Sequence, residues 1–219
     1  MAIPEEDRPR TAYSGAATVK PSSTLDVAHL PTVAFGSRDP LWWGGVGMLI
    51  IEAVFLAIAM VSYFYLRALT PVWPPPPTAR PDLLIPTINT LLLLVSVGPI
   101  WWVDRAARRL ERRAVRIGLV LCVILGLVCS GLRVFEFHAL HTRWNSHAYG
   151  SVVWTLLGLH TFDWIALLVE IIVVMLQAFM GPMTQYRFLD ISDSAPFWYF
   201  IVAIWLPIYA VLYVVPRIL

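Results

Sequence analysis

The sequence predicts an all-α protein, a polytopic membrane bundle of five transmembrane helices. Three observations predict it. The 219 residues are 58% hydrophobic and 14% charged, against about 45–50% and about 25% in soluble domains. Five apolar runs are long enough to cross a bilayer, which takes about 20 helical residues. The charges are gathered away from these runs: residues 1–40 hold nine and residues 104–116 hold eight. This composition excludes a soluble globular protein, a disordered chain and a disulfide scaffold. A net charge of +2 gives no footprint for nucleic acid.

Residues 1–40 read as a polar, flexible tail, with Glu5, Glu6 and Asp7 and no apolar stretch of signal-peptide length. Residues 41–219 read as the membrane domain. Its spans are predicted at about 42–66, 85–103, 115–137, 149–179 and 197–215. Open backbone groups find no partner in lipid, so these runs are helices. None alternates with period two, which disfavours a β-barrel. Pro71 to Pro81 is a stiff polyproline linker, and Asp104 to Ala114 a tight charged turn. Gly181–Pro182 ends the fourth helix, and Pro196 precedes the fifth. Arg and Lys counts put the N-terminus inside and the C-terminus outside. Eleven then fall on the inner side and four on the outer, with Arg133 inside the third helix. Trp42, Trp43, Trp73, Trp101, Trp102, Trp144 and Trp198 fall near helix ends, as an interfacial belt does.

A charge in hydrocarbon costs several kcal/mol, so each ionisable group within a span is a candidate for function. Glu52 lies near the middle of the first helix, with no basic neighbour within four residues. It reads as a membrane carboxyl, either proton-related or structural. Arg133 and Glu136 share a face at spacing three and read as an ion pair between helices. On the fourth helix Asp163 and Glu170 differ by about 20° and His160 lies about 60° from Asp163, so the three read as one interhelical polar seam. His138 and His141 are also three apart, on one expected face. No Glu is followed by His three residues later, the pattern a helical di-iron site uses. No metal, cofactor or catalytic residue is assigned to this chain. Cys122 and Cys129 sit about 10.5 Å apart along one helix, beyond disulfide reach.

Several segments resemble subunit III of the haem–copper oxidases, in its five-helix bacterial form. The first is LIIEAVFLAIAMVSYFYL, with Glu52 at the family's membrane glutamate. PTINTLLLLVSVG is similar to the family's Pro-x-Leu-Asn-Thr run and later Ser-x-Gly, at Asn89, Thr90, Ser96 and Gly98. GLRVFEF resembles Gln-x-x-Glu-Tyr, with Glu136 at the acid. YGSVVWTLLGLH matches at Tyr149, Gly150, Ser151, Gly158 and His160. The last helix carries the aromatic positions Trp205 and Tyr209. The chain departs from the pattern where the family's Gln is Arg133 and a second His is Asp163. It departs again where a His and an Asp of the last helix are Tyr199 and Ala203. The resemblance marks a divergent branch.

The resemblance implies a non-catalytic accessory subunit of a proton-pumping terminal oxidase that reduces oxygen to water in aerobic respiration. Such a chain is not an enzyme on its own. It would pack against catalytic subunit I and the other oxidase subunits, which hold the haem and copper. It would stabilise the catalytic subunit and its proton uptake, and bind phospholipids in a bacterial inner membrane. The accessory subunit of a nitric oxide reductase is a close alternative. Two readings from other classes are an autonomous membrane metalloenzyme and a small transporter.

Overall fold

The structure is a computed structural model, described here for residues 35–218. The expected flexible tail, apart from its last few residues, lies outside them. The described residues form one compact unit without strands. Five helices among them are long and apolar enough to cross a membrane.

Helix α1 spans Pro40–Ala68 and is capped by Asp39, whose carboxylate accepts from Leu41 N. Pro40 opens it, where a missing N–H costs nothing. Helix α2 spans Leu84–Arg108 and helix α3 Arg112–Ala139. Helix α4 spans Ala148–Met180. Its 33 residues extend about 50 Å, more than the hydrocarbon core, so it tilts or projects. Helix α5 spans Gln185–Tyr209 and continues through a π-turn, Ala210–Val214, into Val215–Ile218.

The interior is formed by α2 against α3 and α5, with α3 on α4 and α4 on α5. Helix α1 lies outside this group, mainly on α4. It buries only Leu56, Ala59 and Tyr63, one face at spacings of three and four. Close approach elsewhere depends on missing side chains. A Cβ at Gly118 would overlap Val103, and one at Gly126 would come within 2.5 Å of Leu168 Cδ1.

Several expectations are corrected. The charged turn is three residues long, not 104–114, because α2 runs on to Arg108. Asp104 and Arg108 pair one turn apart at 3.0 Å and support that extension. Leu110, at φ 58°, then reverses the chain, with its N–H on Ala107 O and that of Glu111 on Ala106 O. The fifth helix starts at Gln185, not at 197, and Pro196 lies inside it. Its polar first turns are anchored by Ser192 Oγ, which donates to Asp104 at 2.5 Å. Hydropathy reads such a polar helical end as a loop. Trp198 consequently leaves the interfacial belt: it is fully buried and donates to Ser96 Oγ at 2.9 Å. His141 falls beyond the end of α3 with φ 52°, so it shares no helical face with His138. The polyproline segment is folded into bends and a turn. Both cysteines are buried and free.

Candidate functional site

Four helices converge on Arg133. Its Nη1 donates to Glu136 Oε2 at 2.5 Å, across one turn of α3. Its Nη2 donates to His160 Nδ1 at 3.1 Å on α4. Arginine offers only donors, so His160 accepts at Nδ1 and carries its proton on Nε2. That N–H donates to Ile201 O of α5 at 3.1 Å. Asn89 of α2 donates to the other oxygen of Glu136 at 2.8 Å. Asn89, Glu136 and His160 have no exposed surface, and Arg133 has 2%.

The aromatic side of this cluster comes from α5. The guanidinium carbon of Arg133 lies 4.0 Å from the centroid of the Trp205 ring. The His160 ring lies 4.7 Å from the same ring. Trp205 Nε1 donates to Thr90 Oγ1 at 2.8 Å, and Thr90 donates to Pro86 O one turn back. One turn further along α5, the Tyr209 hydroxyl bonds Thr87 Oγ1 at 2.7 Å. An ion pair buried this deeply persists because both members are hydrogen-bonded as well as opposite in charge.

The stripe expected on α4 divides. His160 joins the Arg133 cluster. Asp163 turns towards α1, where it lines one cleft with Glu52. These two acids open onto a cleft of about 440 Å³ walled by Met48, Phe55, Leu159 and Phe162. Glu170 is largely exposed and accepts from Ser194 Oγ of α5 at 2.6 Å. The five groups read as an ion pair and a polar seam therefore occupy three separate places.

The motif positions have local explanations. Asn89 and Thr90 serve the cluster. Ser96 donates to Leu93 O at 2.6 Å and accepts from Trp198. Tyr149 is buried edge-on against Trp73, with centroids 5.0 Å apart. Gly150 donates its N–H to His147 Nδ1, the cap of α4, and a Cβ there would overlap Arg143 O. Ser151 Oγ donates to Trp144 O at 2.8 Å. Gly98 and Gly158 face open space, with nothing within 4 Å of a built Cβ.

Among the described residues, the histidines beyond the cluster are engaged singly. His138 Nδ1 bonds Val134 O, and His141 faces Asp82 at 2.9 Å. His147 accepts from Gly150 and bonds Thr78 Oγ1 at 2.7 Å. Among the described residues no group of three or more His, Cys, Asp or Glu could hold a metal ion. Asn89, Trp205 and Thr90 were not foreseen as members of the Arg133 cluster. The available signal was three polar or amphipathic side chains on otherwise apolar helix faces.

The chain matches the family described as Cytochrome c oxidase subunit III over residues 14–216. It is 27% identical over 198 residues to Cytochrome c oxidase subunit 3 of Triticum aestivum, covering 87% of this chain and 73% of that one. It is 25% identical over 170 residues to the protein of that name from Thermostichus vulcanus, covering 77% and 84%. For Danio rerio the figures are 26% over 197 residues, with 87% and 74% covered. Identity near one quarter fits the departures at Arg133 and Asp163. On the match over nearly its whole length, the chain belongs to the cytochrome c oxidase subunit III family.

Proposed function

We propose that this chain is a non-catalytic accessory subunit of a proton-pumping haem–copper terminal oxidase in a bacterial inner membrane. The observation that carries this reading is the family match over residues 14–216, and the buried Arg133 cluster supports it. Arg133 bonds Glu136 and His160 within the chain and both His160 nitrogens are engaged, while Arg133 Nε has no partner among the described residues. The cluster therefore serves as internal scaffolding and offers no ligand position to a haem or metal. The chemistry of oxygen reduction belongs to catalytic subunit I and its haem and copper. Large apolar side chains such as Ile50, Val54, Ile58 and Val61 are exposed along α1. They supply a face for lipid and for partner helices.

The supporting role in proton uptake rests on Glu52 and Asp163. Both carboxyls line one cleft between α1 and α4, a place where a proton can be held within the membrane span. The apolar cleft they face has the dimensions and lining for a lipid chain. The N-terminus inside and the C-terminus outside remain the orientation favoured by the Arg and Lys distribution.

Affinity purification of the tagged full chain from its native membrane in mild detergent tests the assignment. Haem absorbance and stoichiometric copper in the co-eluting subunits are the expected result. Elution as a stable monomer free of any haem-bearing partner would overturn it.

A further inference from the structure

Helix α3 opens with Arg112, Arg113 and Arg116 and has no acid in its first turn. This end of a helix carries orphan N–H groups and the positive pole of the macrodipole, which disfavours cations. The preceding residue, Glu111, provides no side-chain cap and sits 4.0 Å from Arg109 instead. Arg116 Nε donates to Ala178 O at 2.9 Å, and its guanidinium lies 5.3 Å from the Phe179 centroid. Arg112 reaches Met183 O at 3.5 Å. Arg113 makes no hydrogen bond or ion pair among the described residues. The carbonyls give partial negative charge only, and no carboxylate of the described chain meets any of the three arginines.

The same three side chains form the mouth of a cleft of about 480 Å³. Its remaining wall is apolar and includes Ile117, Leu121 and Phe179. Ile117 and Leu121 lie one turn apart, so this wall runs along α3 into the membrane span. A cationic mouth above an apolar wall complements a molecule with an anionic head and a hydrocarbon tail.

We propose that this cleft binds an acidic phospholipid, with its phosphodiester against Arg112, Arg113 and Arg116 and one acyl chain along Ile117 and Leu121. The guanidinium fork suits phosphate oxygens. The site lies on α3 and the end of α4, apart from the Glu52–Asp163 cleft. The proposal rests on the chain spanning a membrane and not on its oxidase partner, so failure to copurify an oxidase leaves it standing.

Native mass spectrometry of the purified full chain tests it, titrating phosphatidylglycerol and phosphatidylcholine of identical acyl chains. Phosphatidylglycerol is retained preferentially by the unaltered chain. Arg113→Gln, which breaks no hydrogen bond or ion pair among the described residues, weakens that retention about fivefold, and the triple Gln variant about a hundredfold. Phosphatidylcholine retention stays the same in all three. Equal retention of the two lipids by the unaltered chain overturns the proposal, as does unchanged phosphatidylglycerol binding by Arg113→Gln. Loss of fold in the triple variant leaves the decision with Arg113→Gln. Inorganic phosphate binding as tightly as phosphatidylglycerol would overturn the commitment to a lipid.

Discussion

Arg133 of α3 lies with its guanidinium carbon 4.0 Å from the centroid of the Trp205 ring on α5. The same guanidinium bonds Glu136 and His160. One side chain thus ties together α3, α4 and α5, and through Glu136 and Asn89 it reaches α2.

Removing half of the ion pair exposes its cost. Arg133→Met leaves the Glu136 carboxylate buried with Asn89 as its remaining donor, and lowers stability by about 3–5 kcal/mol. Glu136→Gln strands the guanidinium to a similar degree. The double variant Arg133→Met/Glu136→Leu is less destabilised than the sum of the singles. Thermal unfolding in detergent, read by circular dichroism, checks all three.

Trp205→Phe keeps an aromatic face over Arg133 and removes the donor to Thr90. The expected loss is about 1–2 kcal/mol, one buried hydrogen bond plus some packing. Thr90→Val, which strands the indole N–H instead, has a loss of the same order. A melting temperature unchanged by either substitution would contradict the 2.8 Å bond between them.

The glycines divide by their surroundings. Gly126→Ala drives a methyl into Leu168 and costs about 1–3 kcal/mol. Leu168→Val in the same chain recovers part of the loss. Gly98→Ala, with open space around it, leaves the isolated chain's melting temperature unchanged.

Glu52→Gln keeps a polar side chain beside Asp163 while removing a carboxyl. The expected outcome is assembly at normal yield with faster inactivation of the oxidase during turnover. Subunit recovery and the decay of oxygen consumption measure the two separately. Failure to assemble would assign Glu52 a structural role.

Much of the bundle was legible because lipid forbids stray charge. Glu52, Arg133, Glu136, His160 and Asp163 stood out on apolar helices for that reason. The pairing of Arg133 with Glu136 was also legible, since a spacing of three fixes a shared face. The join of Asp163 to Glu52 was not. Periodicity gives an angle around one helix and says nothing of which neighbour stands at that angle. His160 and Asp163, about 60° apart, meet different helices. The start of α5 was hidden because Asp190, Ser192 and Asp193 make its first turns as polar as a loop, and because Pro196 reads as a start signal.

Helix α1 buries only Leu56, Ala59 and Tyr63, with Met60 and Leu66 partly buried against the core beside them. Its height relative to α4 is therefore set by a narrow ridge of side chains. A slip of one turn moves α1 by about 5.4 Å, which would separate the two acids and leave each facing hydrocarbon by itself. Small changes in the volume of Leu56, which lines the same cleft, or of Ala59 thus act as a vernier on the acid pair.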